Sequence, residues 1–295
     1  MLRKPYTLPL PRGRTLDLGR RTLVMGILNV TPDSFADDGP CADPQAAVDR
    51  ALRMEADGAD IIDVGGESTR PGAEPVSADE ERRRTLPVIE RLAGRLTVPI
   101  SIDTYKAVVA RDALAAGAVL VNDVSGLSYD PSLGEVVARY GAALVLMHTR
   151  GRSKAMYREA AYRSVAREVA SELRAAIDRA IAAGVAFERL VVDPGLGFAK
   201  HAEHSFRALA ALPELAAIDR PLLVGPSRKS FLTHAIGAAP TGRRDWATAG
   251  AVAASVLLGA HIVRVHDVAA MRDVVRVVDM LVAESAEAKS GGPDA

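Results

Sequence analysis

Eight apolar runs in this 295-residue chain end in polar side chains, and those ends are where chemistry could be done. In order they offer Asn29, Asp63, Asp103, Asn122 with Asp123, His148, Asp193, the Ser227-Arg228-Lys229 segment, and Arg264 with His266. A single Asp or Asn after an apolar run is a turn former or a helix cap. A whole ring of such ends exceeds what capping needs and describes a polar pocket. Arg70, Arg228, Lys229, Arg264 and His266 supply cations or donors suited to phosphate or carboxylate oxygens. Asp103, Asn122 and Asp193 supply acceptors for the N–H edge of a heterocycle. The implied substrate has an anionic end and a flat polar ring. A carboxylate accepting two parallel N–H bonds complements a guanidine-like edge, which purines and pterins both carry.

No Ser-His-Asp or Cys-His arrangement is visible, so chemistry through an activated protein nucleophile is not expected. The six histidines form no H-x-H or H-E-x-x-H pattern and the lone Cys41 gives them no thiolate partner, which disfavours zinc. Magnesium needs only one or two protein oxygens beside substrate phosphates, and Asn29 or a nearby Asp would suffice. His201 and His204, with Lys200, read as the solvated start of a helix.

The runs that carry these ends are Thr22–Asn29, Asp60–Gly65, Val98–Asp103, Val119–Asp123, Ala143–His148, Leu190–Asp193, Pro221–Gly225 and His261–His266. They are near-continuously apolar, as strands covered by helices are. Between them lie stretches with helical spacing: Val165, Val169, Leu173, Ile177 and Ile181 in one, Met271, Val274, Val275, Val278, Leu281 and Val282 in another. Ser77 with Glu80 reads as a capping box, and Gly58 and Gly117 as helix stops. Strand and helix alternating eight times predict a single (β/α)₈ TIM barrel, with the active site at the C-terminal ends of the strands. The doubly wound alternative lacks its G-x-G-x-x-G turn. The barrel domain is expected over 22–283, after an N-terminal extension (1–21) and before a polar C-terminal tail (284–295) that should fray.

Lys+Arg and Asp+Glu both number 37, so nothing draws the whole chain to nucleic acid or anionic lipid. The longest charge-free run, Ala247 to Val263, is interrupted by Gly250, Gly259 and His261 and falls short of the roughly 20 apolar residues a spanning helix needs. It reads as a buried helix feeding a buried strand. One cysteine excludes a disulfide framework, and the basic N-terminus lacks the apolar core of a secretory signal, so the expected location is cytoplasmic.

The segments Met25–Phe35 (MGILNVTPDSF) and Asp60–Gly72 (DIIDVGGESTRPG) closely resemble the dihydropteroate synthase family of pterin-binding barrels. Ser101–Thr104, Asn122–Gly126, Leu146–His148, Asp193–Phe198, Ser227–Ser230 and Arg264–Asp267 follow in family order, so the resemblance runs from about Thr22 to about Leu281. It implies a transferase of folate biosynthesis that joins 6-hydroxymethyl-7,8-dihydropterin pyrophosphate to 4-aminobenzoate and releases pyrophosphate by a dissociative path. By the same resemblance, Asn29 binds Mg²⁺ on the pyrophosphate, and Arg70, Arg264 and His266 complete the anion pocket. Asp103, Asn122, Asp193 and Lys229 hold the pterin, while Thr69, Arg70, Pro71, Phe198 and Ser227 receive the aminobenzoate. Arg264, His266 and Lys229 are the implied catalytic groups, the 30–39 segment a closing loop, and the assembly a homodimer through late helices. Three places depart from the family: Asp38 and Pro40 in that first loop, and the Thr149–Tyr157 stretch. The rival readings are a methyltetrahydrofolate-binding methyltransferase domain, which would not need the Ser227–Lys229 and Arg264–His266 blocks, and a non-catalytic paralogue, which would lack a strand-end group.

Overall fold

The computed structural model describes residues 3–31, 44–69, 72–152, 156–237 and 240–290. Its framework is eight parallel strands: β3 (Leu23–Asn29), β4 (Ile61–Gly65), β5 (Ile100–Asp103), β6 (Leu120–Asp123), β7 (Ala143–Met147), β8 (Leu190–Asp193), β9 (Leu223–Val224) and β10 (Ile262–Val265). They run side by side in the order β8-β7-β6-β5-β4-β3-β10-β9, and a parallel bridge from Val192 to Leu222 closes the ring. All eight predicted strands are present, each boundary within two residues of its expected place.

Around the ring lie α1 (Pro44–Ala56), α2 (Ala78–Leu92), α3 (Ala107–Ala116), α4 (Leu133–Tyr140), α5 (Val165–Ala182), α6 (Ala202–Ala210), α7 (Leu212–Leu215), α8 (Ser230–Ile236), α9 (Thr241–Leu257) and α10 (Val268–Ser290). Their starts and stops follow local chemistry. Ser77 caps α2 by accepting the Glu80 N–H at 3.2 Å. Gly117 ends α3 at a φ of 128°, which a side chain would strain. The predicted α5 stripe is buried from Val165 to Ile177, whereas Ile181 in the last turn is half exposed. The charge-free run forms the end of α9 and all but the last two residues of β10, with one side of the helix buried through Thr248, Val252, Ser255 and Val256. The tail does not fray at Ala283. Rich in Ala and Glu, it continues α10 to Ser290.

Strand alternation divides the apolar residues into two layers. Val24, Ile62, Ile102, Val121, Leu144, Val192 and Val263 face outward and pack under the helices. Met25, Ile61, Leu120, Val145, Val191, Leu223 and Ile262 face inward and fill the N-terminal half of the barrel. Two residues further along the same inward rows stand Asp63, Asn122, Asp193 and Arg264. The interior is therefore apolar below and polar above.

The lower half has a plug that the sequence reading treated only as an extension. Strands β1 (Tyr6–Pro9) and β2 (Thr15–Leu18) form an antiparallel hairpin. Its Leu8, Leu10 and Leu18 are buried against the inward residues of the floor. Leu18→Ala should cost about 2–5 kcal/mol, the range for truncating a packed leucine. Urea unfolding would show the loss, and the polar rim at the other end should keep its ligand affinity.

Candidate active site

Strand register sets the polar rim. Asn29 lies opposite Gly65, Gly65 opposite Asp103, and Asp103 opposite Asn122, which places four consecutive strand ends at one level. Gly65 leaves a gap there. A Cβ would occupy it in ordinary van der Waals contact, 3.6 Å from Asn29 Oδ1 and 3.5 Å from the Asp103 side chain. Arg264, reaching in from β10, donates through Nε to Asp63 at 2.6 Å and through Nη2 to Asp103 at 2.7 Å. Asn122 donates its amide N–H to the same Asp63 oxygen at 2.9 Å, so its own carbonyl oxygen is left as an acceptor. The other Asp63 oxygen, Oδ1, is buried and has no hydrogen-bond partner among the described residues.

Burial sets the charge states. It pushes Asp103 up to about 7, opposed by Arg264 and reinforced by Asp63. It pushes Asp193 up to about 6 against the Gly195 N–H, which donates to Asp193 Oδ1 at 2.7 Å. Arg264 stays charged, because Asp63 and Asp103 outweigh its desolvation. Burial, with Arg228, Arg264 and Lys229 nearby, drives His266 down to about 3, so of the two roles open to it, cation or donor, this residue takes that of a neutral donor. Ser227 Oγ accepts the His266 backbone N–H at 3.3 Å and is hydrogen-bonded to Nδ1 at 2.9 Å; with the hydroxyl as donor in that bond, the ring N–H is on Nε2.

A second patch sits beside this one. Val124, Met147, Phe198 and Ala199 form a small apolar cluster at the rim, flanked by Tyr105 and Tyr157. The Lys229 ammonium lies 3.8 Å from the centre of the Phe198 ring, close enough for cation–π attraction. An acceptor-rich floor beside an apolar, cation-bearing wall can seat a polar heterocycle and an aromatic acid side by side.

The strand-end residues predicted for the site converge in three groups. Asn122 and Arg264 meet on Asp63, and Arg264 also bonds Asp103; Lys229 meets Phe198; and Ser227 meets His266. Asn29 stands at the rim level with them, and Asp193 ends β8. Thr69 is half-buried at the edge of the described chain, while Arg70, Pro71, Asp38, Pro40 and Cys41 lie outside the described residues. Arg228 does not belong to the cationic set: it is forked onto Asp245 of α9 at 2.8 and 3.2 Å. The Thr149–Tyr157 stretch is tied down where described, with Arg150 bonded to Glu168 and Glu172, and Arg152 over the Tyr129 ring.

Sequence reasoning gave three residues no role that contacts now assign. Asp63 was seen only as a strand end, although an acid inside Ile-Ile-Asp-Val-Gly was the available signal. Glu67 accepts from Tyr105 Oη at 2.9 Å and from the Val76 N–H at 3.3 Å and pairs with Lys106, pinning both ends of the segment that carries Thr69. Lys200 was read as solvated and is fully buried, among backbone carbonyls that no pattern announces.

Residues 25–266 match the family described as pterin binding enzyme. The chain is 47% identical over 274 residues to the dihydropteroate synthase of Synechocystis sp., covering 92% of this chain and 95% of that one. Two solved structures superpose closely. Burkholderia cenocepacia dihydropteroate synthase complexed with 7,8-dihydropteroate has a TM-score of 0.86 at 42% identity, covering 96% of this chain and 99% of the other. Xanthomonas albilineans dihydropteroate synthase with 4-aminobenzoic acid has 0.86 at 41%, covering 94% and 99%.

Among the contacts at the rim, the Asp63 pair is the one most exposed to a single change. Asp63→Asn keeps the shape but leaves Arg264 a buried cation with one carboxylate. A loss of about 3 kcal/mol is expected. Chemical denaturation of the single variant and of Asp63→Asn with Arg264→Met measures it, the double variant recovering part of the loss.

Proposed function

Since the chain belongs to the pterin binding enzyme family, we propose that its barrel mouth performs the dihydropteroate synthase reaction. The amine of 4-aminobenzoate attacks the methylene carbon of 6-hydroxymethyl-7,8-dihydropterin pyrophosphate. A C–N bond forms, the C–O bond breaks, pyrophosphate leaves with the electron pair, and the amine gives up one proton. The observation that carries this reading is the Asn122 amide fixed by Asp63. It leaves a carbonyl oxygen on the strand end paired with that of Asp103, and with Asp193 these make three acceptors for the N–H groups of a pterin.

Asp193 is assigned the amino-amide edge of the pterin, and Lys229 a position over the ring. Positive charge growing on the pterin as the C–O bond stretches is offset by Asp103 and Asp193. Arg264 has Nε and Nη2 committed to carboxylates, so its Nη1 edge and the Nε2–H of His266 are the donors assigned to the leaving pyrophosphate. Thr69, Phe198 and Ser227 are assigned to the aminobenzoate, together with Arg70 and Pro71.

Asn29 fits a magnesium site: such an ion keeps several waters and takes phosphate oxygens with only one or two from protein, and the Asn29 amide oxygen borders a space that Gly65 leaves open. Asn29 would hold the ion on the pyrophosphate, where it would neutralise charge on the leaving group.

We also infer a homodimer. Met271, Val275 and Val278 of α10 are buried in the core. Val277 (63% exposed) and Met280 (64%) point away from it, as does Trp246 (80%) on the adjacent α9. A two-fold interface would cover this apolar face on both copies at once. Among the described residues no helix is long and apolar enough to cross a membrane, and the proposed location is cytoplasmic.

Pure protein given both substrates and Mg²⁺ should release pyrophosphate and dihydropteroate; no turnover would overturn the reading. Asp193→Asn turns an acceptor into a donor and should weaken pterin binding by about 1.5–3 kcal/mol, roughly tenfold or more, in calorimetry. Because Asp193 is raised to about 6, it takes up a proton as pH falls through that value. Pterin affinity of the parent should therefore decline through about pH 7, where Asp103 takes up a proton, and again through about pH 6, while Asp193→Asn should lack the lower step. For the interface, Met280→Asp should sediment as a monomer where the parent sediments as a dimer.

A further inference from the structure

Lys200 is, by volume, the largest wholly enclosed side chain among the described residues, with 1% of it exposed. Its ammonium donates to Nδ1 of His148 at 2.7 Å and to the carbonyl oxygens of Gly195 and Phe198, both at 3.1 Å. The Glu172 carboxylate can only accept, so Nε2 carries the imidazole proton and donates to it at 3.0 Å, and Nδ1 of the ring accepts from Lys200. The ring is neutral: burial, with the Lys200 charge beside it, drives His148 down to about 4. Burial also pulls Lys200 down to about 7, against Asp193 and Glu172, so it reaches all three acceptors as an ammonium and gives up a donor when it deprotonates. Arg150 anchors the far end of this chain at Glu172.

The backbone that Lys200 grips is one that the chain does not hold easily by itself. Gly195, Gly197 and Ala199 have φ of 67°, 78° and 46°, and a Cβ on Gly195 would run into the His148 carbonyl. Between the two gripped carbonyls runs the turn that carries Phe198 under the Lys229 ammonium. Asp193 has a separate anchor in the sheet, where it pairs with Met147 and its carbonyl accepts the His148 N–H at 2.9 Å, although its carboxylate also accepts the Gly195 N–H at 2.7 Å.

We propose that Lys200 is a positioning residue for the arylamine half of the site, acting through the Gly195 and Phe198 carbonyls to fix the Phe198 ring and the Lys229 ammonium above it. The inference rests on the reading of Phe198 as a wall of the aminobenzoate pocket. It distinguishes two halves of one mouth: the pterin acceptors stand on strands, and the arylamine wall stands on a turn that one internal ammonium holds shut.

The test is steady-state kinetics and pterin calorimetry on full-length Lys200→Met, which keeps the length of the side chain and removes its three donors. KM for 4-aminobenzoate should rise about tenfold, with kcat within about threefold and the pterin Kd within about twofold of the parent. An unchanged KM, or equal loss for both ligands, would overturn the proposal, since a general loosening of the barrel spares neither half. Phe198→Ala separates the two layers of the argument. If it raises that KM and Lys200→Met does not, the clamp is wrong and the pocket reading stands; if neither raises it, the pocket reading falls. Should Lys200→Met not fold, Glu172→Gln on the more exposed α5 tests the same relay. Amide exchange over 195–199 should quicken and the aminobenzoate KM rise about threefold, while unchanged exchange and KM would refute the clamp.

Discussion

A guanidinium has five N–H donors and no acceptor, so one placed inside a barrel requires oxygens from several directions. Arg264 meets that demand by reaching from β10 past the neighbouring β3 to Asp63 on β4 and Asp103 on β5. The remaining polar geometry depends on this brace. Asp63 is held in place by Arg264 and in turn fixes the amide of Asn122, so the cation on one side of the barrel decides which atom of an amide on the other side faces the mouth. Asp103 keeps an anionic partner role only because Arg264 opposes the burial that would neutralise it. Three carboxylates, Asp63, Asp103 and Asp193, share the rim with two of its cations, Arg264 and Lys229. Such enclosed charge is costly. The apolar lower half of the same strands, continuous with the hairpin leucines, supplies the burial that offsets it.

The strands were legible because each is covered on both faces and its apolar run is nearly unbroken, so Leu190–Asp193 could be placed to the residue. The ring of polar ends was legible for the same reason: a polar group stands out against such a run. What could not be read depends on neighbours remote in sequence. His266 looks like a donor of either charge until Arg228, Arg264 and Lys229 are seen around it. Arg228 looks available until Asp245 arrives from α9. Lys200 looks solvated because its acceptors are carbonyls, which every residue has. The β1–β2 hairpin, with strands of four residues each, offered too few alternating positions to register as a sheet.

Two histidines of the rim, His148 buried and His266 half-buried, are held through their rings: Ser227 bonds Nδ1 of His266, and the Glu172 carboxylate fixes the His148 proton on Nε2, toward α5. The same residue type is thus assigned to a ligand in one place and serves the scaffold in the other. Orientation of a neutral dipole, set from behind, does at both positions what a full charge would do at greater desolvation cost.

The hairpin that fills the floor makes the barrel a cup and not a tube. Both reactants and both products share one doorway. What the strand ends hold and what the rim turn beside them holds must arrive and leave past the same edge, so exchange of one ligand is sensitive to occupancy of the place next to it. Closing one end of the fold thus imposes a queue on its chemistry.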